Sequence, residues 1–480
     1  MKSEPVAPAD DTAERTTRAI EDLSGPRGVP LLGNLPELAR GQVMNQVLER
    51  WCDRFGSTYR VRLGGTPAVV TADPVLVDTV LRQRPDAFRR SSIMSEVIDE
   101  IGGHGVFTAE GAEWRRLRKI ATQSLNSSYL RQYFSTIAEV TARMRNSWVS
   151  AADAGSSVDV LADMQRYTLD VTTWLATGHD LNSVDSNDDS LRSRLVELFP
   201  AFARRINAPF PYWRHVKLPQ DRRLDATVEE LAALVRVQFV KARERMAGGA
   251  EPTNFLEALV RPLEDEPAAS DEEVFGNVVT MLLAGEDTTS STLAWAVHRL
   301  SAHPEAQDRV AAEAEAVLAD GLADPAAVGR LTYARAVIDE AMRLNPVTPF
   351  IVVQPNQDIT VDTAEGSLRL KQGTPVFTLL TYGSRRDHSR FGDHDAFRPE
   401  RWLDESSAPA ELPYAPFGAG PRFCPGRNLA LLEATLLIAT LCRAVTIRAH
   451  DADGPVRERM GFTAFPTGLA VTLHRREALG

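Results

Sequence analysis

Hydrophobic residues recur every three to four positions over most of the chain, a spacing typical of amphipathic helices. The alternation typical of strands is confined to short segments. Residues 58–71 alternate around a central Gly-Gly pair and predict a β-hairpin. Residues 358–362 and 374–380 predict a second pair of strands, and residues 461–473 predict a third. The pattern therefore predicts a mainly α-helical protein with a minor β portion.

The N-terminus differs in composition from the rest of the chain. Residues 1–24 predict a flexible tail, and the Pro- and Gly-rich residues 25–34 predict a rigid start to one folded domain over residues 25–480. No leader-like apolar stretch follows Met1, and no apolar run reaches the length of a membrane span. We therefore expect a cytoplasmic protein without a membrane anchor.

Charge and cysteine usage exclude several classes of protein. The formal net charge is −11, and the acidic residues are spread along the chain. Such a charge disfavours nucleic acid as a partner, and we expect a monomer. Cys52 and Cys442 belong to no pair with the spacing of a zinc site or a disulfide framework. Both are expected to be structural thiols.

The third cysteine, Cys424, lies in the sequence Pro-Phe-Gly-Ala-Gly-Pro-Arg-Phe-Cys-Pro-Gly at residues 416–426, which favours a metal-bound thiolate. The glycines permit a tight loop whose N–H groups point at the sulfur, and Arg422 adds positive charge. Residues 428–441 have high helix propensity, so a helix N-terminus is expected beside the sulfur. The alternative is a small buried side chain in a turn, the usual role of an isolated cysteine.

All six specified positions of the pattern Phe-Gly-x-Gly-x-Arg-x-Cys-x-Gly are present, and the segment resembles the haem-binding signature of the cytochrome P450 family. The resemblance covers nearly the whole chain from about Gly25. It implies the single-domain P450 fold of the soluble, bacterial type, with haem b as cofactor. Cys424 would be the axial ligand of the iron, an arrangement that favours O–O cleavage. Phe417 would pack near the sulfur, and Arg422 would contact a haem propionate.

Residues 271–303 predict a long helix that contains residues unfavourable in a helix interior. Gly285 lowers helix propensity, and the hydroxyl groups of residues 288–292 compete for backbone carbonyls. Taken alone, this is a helix with a polar stripe. It resembles the distal-helix motif of the family at Ala284, Gly285, Asp287, Thr288 and Thr289. The resemblance implies that Gly285 lets haem and O₂ approach the backbone, and that Asp287 and Thr288 deliver protons.

Glu340 and Arg343 are three residues apart on another predicted helix, so they share one face. Alone, a Glu-x-x-Arg motif is nearly always a surface salt bridge. Here it precedes Phe-Arg-Pro-Glu-Arg-Trp at residues 397–402, an order that resembles the P450 family. The resemblance implies a structural triad of Glu340, Arg343 and Arg401.

Trp114 and Arg118 are four residues apart on one face of a further predicted helix. A basic surface helix with a buried tryptophan is the alternative. The pair resembles the Trp-x-x-x-Arg motif of the family, and the resemblance implies that both residues bind the haem propionates, which are anionic and need such donors.

Electrons must reach the iron from elsewhere. No flavin- or nicotinamide-binding domain follows residue 480, and the chain has no convincing dinucleotide-binding loop. The expected donors are a ferredoxin or flavodoxin with its reductase. A basic cluster would attract such an acidic partner. Its members are Arg115, Arg116, Lys119, Arg422 and Arg427.

Largely apolar residues 105–108, 347–352 and 462–465 predict the walls of a substrate pocket, and residues 198–213, rich in aromatic residues and proline, predict a lid. Three side chains are candidate contacts: Phe107, Ala284 and Phe350. We expect a small lipophilic substrate. Fatty acids, terpenoids, steroids and polyketides all remain open.

The resemblance implies a monooxygenase that inserts one oxygen atom from O₂ into such a substrate. Two alternatives remain open. One is a P450-like peroxygenase or dehydratase that uses no external electrons, and the other is a non-enzymatic haem sensor or carrier. The adjacent Asp287 and Thr288 favour the monooxygenase, because only O₂ activation needs this proton supply.

Overall fold

The computed structural model describes residues 17–39, 43–186, 201–206, 208, 210–261, 270–318, 325–386, 393–403, 414–450 and 454–477 of the 480-residue chain. The chain forms two compact units. Residues 1–89 and 351–379 belong to the first unit, and residues 90–350 and 380–480 belong to the second. The domain predicted over residues 25–480 thus contains two units.

Helices dominate the described residues. In chain order they are α1 (Leu35–Ala39), α2 (Met44–Phe55), α3 (Pro74–Arg82), α4 (Ser92–Asp99), α5 (Gly111–Ser124), α6 (Ser127–Ala154), α7 (Val160–Thr177), α8 (Pro219–Ala247), α9 (Phe255–Val260), α10 (Asp271–Ser301), α11 (Pro304–Val317), α12 (Pro325–Val328), α13 (Thr332–Leu344), α14 (Tyr382–Arg386) and α15 (Arg427–Ala444). Residues 201–206 are also helical. Short 3₁₀ helices cover Ile20–Asp22, Tyr212–Arg214 and Pro399–Trp402.

The strands are short. They are β1 (Thr17–Arg18), β2 (Thr58–Leu63), β3 (Thr66–Thr71), β4 (Phe88–Arg90), β5 (Ser157–Asp159), β6 (Phe350–Pro355), β7 (Ile359–Thr363), β8 (Gly366–Leu370), β9 (Val376–Leu379), β10 (Val445–Ala449), β11 (Arg457–Met460), β12 (Ala464–Thr467) and β13 (Ala470–Arg475). The prediction of a mainly α-helical protein with a minor β portion is confirmed.

The first unit contains a five-stranded sheet in the order β2-β3-β9-β6-β4 and a three-stranded sheet in the order β1-β8-β7. The hairpin predicted over residues 58–71 is present. Its strands pair antiparallel, with Thr58 opposite Thr71 and Leu63 opposite Thr66. Gly64 in the turn has a φ of +62°, in the left-handed region that favours glycine.

The second predicted strand pair is wrong in its pairing. Strand β7 pairs with β8, and β9 pairs in parallel with β3. The sequence pattern missed β8, which returns directly after β7 with Thr363 opposite Gly366 and so occupies the expected partner position. Proximity along the chain favours such a hairpin over a longer connection.

Residues 17–24 of the flexible tail predicted over residues 1–24 are ordered, and residues 1–16 lie outside the described residues. Thr17 pairs with Ser367 in the β1–β8 ladder, and Ile20 and Leu23 are buried in the core of the first unit. These two apolar side chains supply the burial that offsets the entropy of ordering the segment. A strand of two residues carries too little periodicity to be predicted.

Helix α10 is central to the second unit. Ser270 caps it, since Ser270 Oγ accepts from Glu273 N at 3.2 Å and the Glu273 carboxylate accepts from Ser270 N at 2.8 Å. The helix packs most extensively against α7 and also contacts α13, α15 and β12. The long helix predicted over residues 271–303 is therefore confirmed, with its end at Ser301.

Helix α15 is buried over most of its length and packs against α6, α10, α11 and α13. A three-stranded sheet, β10-β13-β5, and the pair β11-β12 complete the second unit as described. Among the described helices, none combines the length and hydropathy needed to cross a bilayer.

Candidate active site

The cysteine loop, residues 416–426, is a tight turn immediately before α15. Gly418 and Gly420 have φ values of +69° and +66°, which favour glycine. Cys424 N donates to Phe417 O at 2.9 Å and closes the loop. Because α15 begins at residue 427, the thiol lies beside the unsatisfied N–H groups of a helix N-terminus.

Opposing influences act on the pKa of the Cys424 thiol. Burial raises the pKa of the thiol, while backbone N–H groups of Gly426 and Arg427 and the charges of Arg118 and Arg427 lower it. The positive charge therefore comes from Arg118 and Arg427 rather than from Arg422, the residue that the sequence favoured. Burial outweighs the other influences, so the net pKa of the thiol is raised.

Helix α10 has one open face near its middle. Ala284 is exposed and Thr288, one turn later, is half-buried, whereas Asp287 and Thr289 are buried. Thr288 Oγ1 donates to Ala284 O at 2.7 Å, the bond that satisfies a hydroxyl within a helix. The open face therefore presents a methyl group and a hydroxyl oxygen to a ligand.

The structure shows a packing reason for a glycine at position 285, which differs from the predicted close approach of haem. A Cβ at this position would lie 2.5 Å from Thr172 Cγ2 on α7. Nearby, Thr168 Oγ1 of α7 donates to Glu286 O at 3.2 Å, so a short side chain of α7 reaches the backbone of α10. Glycine is required here because α7 and α10 pack closely.

Asp287 and Thr288 have different partners although they are adjacent. Asp287 Oδ2 accepts a hydrogen bond of 2.6 Å from Thr463 Oγ1, which precedes β12. Burial raises the pKa of Asp287 to about 6, and the Thr463 hydrogen bond opposes this effect. The carboxyl group can therefore take up and release a proton near neutral pH.

The second threonine of the motif, Thr289, is buried on a different side of α10. It hydrogen-bonds to Glu433 on α15, a fully buried carboxyl group whose pKa burial raises to about 8. At neutral pH Glu433 is therefore mostly protonated. The contact ties α10 to the helix that follows the cysteine loop.

Trp114 and Arg118 lie on one face of α5, as predicted. Arg118 is half-buried, with its guanidinium 4.5 Å from the centroid of the Phe423 ring. Its Nη2 atom has no hydrogen-bond partner among the described residues. Arg422 differs, since it pairs with Glu110 and lies 4.6 Å from the centroid of the Trp114 ring. Arg118 Nη2 thus fits an anionic ligand, because a buried donor without an acceptor costs free energy.

The structure brings Glu340, Arg343 and Arg401 together. Two hydrogen bonds of 2.8 Å link the Glu340 carboxylate to Arg343, and Arg401 Nε donates to it at 3.0 Å. The Arg398 N–H and the Trp402 indole N–H add bonds of 2.9 Å each. Five donors thus converge on one buried carboxylate.

The net pKa of Glu340 is lowered. Burial alone would raise this pKa, but the hydrogen bond and charge of Arg343, the Arg398 N–H and the charge of Arg401 together lower it by more than burial raises it. The carboxylate is therefore ionised. Arg343 also donates to three backbone carbonyls, those of Ser384, His394 and Ala396. The triad that the resemblance implies is thus part of a buried network, which joins α13 to Ser384 and to residues 394–402.

Phe107 and Phe462 form part of an apolar wall. Their ring centroids are 6.2 Å apart, and the Arg90 guanidinium lies 3.6 Å from the centroid of the Phe107 ring. Both phenylalanines and Phe350 are half-buried. The three candidate contacts Phe107, Ala284 and Phe350 thus all keep part of their surface exposed.

Part of the predicted lid, residues 198–200, lies outside the described residues. Within the remainder, Trp213 is buried and its indole N–H donates to Glu100 at 2.6 Å. Phe210 is exposed. Trp213 is therefore a core residue, and Phe210 is the described aromatic residue of this segment that faces solvent.

Comparison with known proteins identifies the family. The sequence model described as Cytochrome P450 matches residues 23–471. The chain belongs to the cytochrome P450 family. It is 30% identical to cyclooctat-9-en-7-ol 5-monooxygenase of Streptomyces melanosporofaciens, over 92% of this chain and 93% of the relative. It is 29% identical to the mitochondrial 25-hydroxyvitamin D-1 alpha hydroxylase of Homo sapiens, over 92% and 90% of the two chains.

The P450 fold is supported independently by a solved structure of a cytochrome P450 (CYP102L1). Its TM-score to this chain is 0.81 at 23% identity, with 95% of this chain and 99% of that chain covered. The chain is also 29% identical to bifunctional cytochrome P450/NADPH–P450 reductase 2 of Bacillus subtilis, of which it matches 42%. As a member of this family, the protein is a haem monooxygenase.

The residues present fit haem. The cysteine loop offers a sulfur at a helix N-terminus, α10 offers an open face at Ala284 and Thr288, and Arg118 has a buried donor without a partner. A thiolate ligand, a ligand pocket and a propionate site are the three features that this cofactor requires.

Sequence reasoning missed two residues that shape this region. Thr463 is 176 positions from Asp287, and no local pattern reveals their contact. Glu433 carried a signal, because a carboxylate within the apolar run of residues 429–441 requires a partner. Its partner, Thr289, was identified only as part of a motif.

Proposed function

We propose that this cytochrome P450 inserts one oxygen atom from O₂ into a lipophilic organic substrate, with electrons from a separate ferredoxin or flavodoxin and its reductase. The observation that carries the proposal is the middle of α10. There, an open face with Thr288 lies next to a buried Asp287 whose pKa is raised to about 6. A peroxygenase, a dehydratase or a haem sensor would not need a proton source at this place.

In this proposal the Cys424 sulfur would hold the haem iron, and Phe417 keeps the cysteine loop closed through its carbonyl. Arg118 binds a propionate, with Trp114 beside it. Arg422, whose Nη2 atom holds Glu110, would bind the second propionate. When bound, the haem supplies the reductive activation of O₂.

Asp287 and Thr288 would move protons to the open face of α10. The Asp287 carboxyl takes up a proton from the interior and passes it toward Thr288 Oγ1. Thr288 donates its own hydrogen to Ala284 O, so its oxygen lone pairs are free to accept on the open side. A group with a pKa near 6 is well matched to proton transfer near neutral pH.

Glu340, Arg343 and Arg401 would have a structural role. Their network fixes Ser384 and residues 394–402 against α13 in the second unit, which also contains the cysteine loop. No acid or base chemistry is assigned to Glu340, because its carboxylate is occupied by five donors.

A basic surface beside α5 supports the separate electron donor. A shallow cleft of about 470 Å³ is lined by Trp114, Arg115, Arg118, Lys119, Thr122 and Asn126. Arg115, Lys119 and Arg427 are exposed. Two members of the predicted basic cluster do not share this surface, because Arg116 pairs with Glu273 on α10 and Arg422 pairs with Glu110. An acidic protein would be steered toward the remaining cations.

Charge reversal tests the docking surface. The double substitution of Arg115→Glu and Lys119→Glu should slow electron transfer at least tenfold at low salt and weaken its dependence on ionic strength. Arg236→Glu is the matched control, since Arg236 is an exposed arginine on α8. An unchanged rate in the double variant would refute the proposed surface.

Thiolate ligation and oxygen insertion are tested in sequence. The reduced protein with carbon monoxide should show the far red-shifted Soret band of a thiolate-ligated haem, and Cys424→Ala should lose it. Lipophilic compounds are then screened by their effect on the Soret band. The molecules named in two relatives, 25-hydroxyvitamin D and cyclooctat-9-en-7-ol, are the first probes. Product carrying one ¹⁸O atom from ¹⁸O₂ would support the proposal, and product without it would favour a peroxygenase or dehydratase.

A further inference from the structure

The carboxyl group of Asp287 has its partner in a distant part of the chain. Thr463 Oγ1 donates to Asp287 Oδ2 at 2.6 Å, and the two residues are 1% and 6% exposed. Burial and this hydrogen bond are the two influences on the pKa of Asp287. The partner of this buried carboxyl group is thus a hydroxyl, whereas a buried carboxylate is more often paired with an arginine or lysine.

Thr463 is itself held in place. Its carbonyl accepts from Gly461 N at 2.8 Å, and the next residue, Ala464, donates through its N–H to Val347 O at 2.9 Å. Strand β12, which begins at Ala464, packs against α10. The hydroxyl therefore has little freedom to leave the carboxylate.

Thr463 also adjoins the apolar wall. The preceding residue, Phe462, lies against Phe107. Because Phe462 and Thr463 share a peptide bond, the apolar wall and the hydroxyl that contacts Asp287 belong to one segment. The segment links a candidate substrate contact to a candidate proton donor.

We propose that Thr463 is the positioning residue for Asp287, holding its carboxyl group in one orientation and stabilising the ionised form. The proposal rests on the proposed role of Asp287 and Thr288 in proton supply. A hydroxyl that donates to the carboxylate favours release of the proton. Thr463 thereby sets the pH range in which Asp287 can pass a proton toward Thr288.

The test compares two substitutions in the haem-loaded enzyme. Thr463→Val removes the hydroxyl at nearly constant volume, and Thr463→Ser keeps it. Difference infrared spectroscopy follows the C=O stretch of the protonated carboxyl group of Asp287 against pH. Asp287→Asn identifies this band, because the neighbouring buried carboxyl groups, Glu286 on α10 and Glu433 on α15, are retained in that variant.

We expect Thr463→Val to raise the pKa of Asp287 by about one to two pH units, because one hydrogen bond to the charged form is lost. Thr463→Ser should restore it. An unchanged Asp287 band in Thr463→Val would overturn the proposal, since the hydrogen bond would then be only a structural tie between α10 and β12.

A second readout connects the hydrogen bond to turnover. O₂ consumption is driven by NADPH through a surrogate ferredoxin and its reductase and is measured against pH. In Thr463→Val its inflection should move by the same amount as the infrared pKa. If Asp287→Asn alters the pH dependence of O₂ consumption, a fixed inflection in Thr463→Val would also overturn the positioning role. If Asp287→Asn consumes O₂ like the wild type at every pH, the proposed proton supply fails, while the infrared result still decides whether Thr463 controls Asp287.

Discussion

Truncation of Glu340 tests the buried network most directly. Glu340→Ala removes a carboxylate that accepts five hydrogen bonds and leaves Arg343, whose side chain is 0% exposed, without its counter-charge. Breaking a buried ion pair in this way costs about 3–5 kcal/mol. Three carbonyls still accept from Arg343, so we expect the lower part of that range, about 3–4 kcal/mol. This loss is a large fraction of a typical unfolding free energy of about 5–15 kcal/mol.

The assay measures the yield of haem-loaded protein and its midpoint of unfolding in urea, followed by Soret absorption and tryptophan fluorescence. Glu251→Ala is the matched control, because Glu251 and Arg261 form a pair of 2.8 Å whose side chains are 75% and 45% exposed. The control should change the unfolding free energy by less than about 1 kcal/mol. Equal yields and midpoints in Glu340→Ala and Glu251→Ala would refute the structural role of the network.

The pH dependence of this loss has a defined sign. The pKa of Glu340 lies below its ordinary value of 4.5, so its ionisation stabilises the folded state. That stability is fully present above pH 4.5 and is lost as the pH falls through the folded-state pKa. The difference between Glu340→Ala and the wild type should therefore be constant near neutrality and decrease in acid. A difference that increased toward acid would contradict the assignment of an ionised carboxylate.

Three further predictions concern α10. Thr288→Ala should keep its haem but divert most reducing equivalents to peroxide, and good coupling of electrons to product would exclude the proposed proton supply. The pKa of Asp287 is raised from 3.8 to about 6, so the free energy of unfolding falls by about 3 kcal/mol in total as the pH rises through this interval. In Asp287→Asn, unfolding in urea should lack this decrease. Gly285→Ala should cost about 1–3 kcal/mol through overpacking against Thr172, and adding Thr172→Ser, which removes the Cγ2 atom, should recover most of it in the same assay.

Local patterns predicted a large part of the fold and of the site. The hairpin of residues 58–71, the long helix α10 and the helix after Cys424 follow from periodicity, turn residues and propensity within about 30 positions. The pairing of β7 with β8 and of β9 with β3 could not be predicted from these patterns. Hydrophobic alternation identifies a strand, but the path of the chain between strands decides which of them pair. The reason for Gly285 was also missed, since the clashing atom belongs to α7.

Three of the buried carboxyl groups of the second unit show why sequence alone could not assign their roles. Glu340, Asp287 and Glu433 are all buried, and burial raises the pKa of each. Only Glu340 meets guanidinium groups, one of them from Arg401, 61 positions away, and its net pKa is lowered. Asp287 meets a single hydroxyl, and its pKa stays raised. A carboxylate that guanidinium groups occupy and keep ionised is suited to hold structure together, whereas an acid with a pKa of about 6 can exchange a proton near neutral pH. The partner, which comes from a distant segment, decides between these outcomes, and for Asp287 that partner is Thr463.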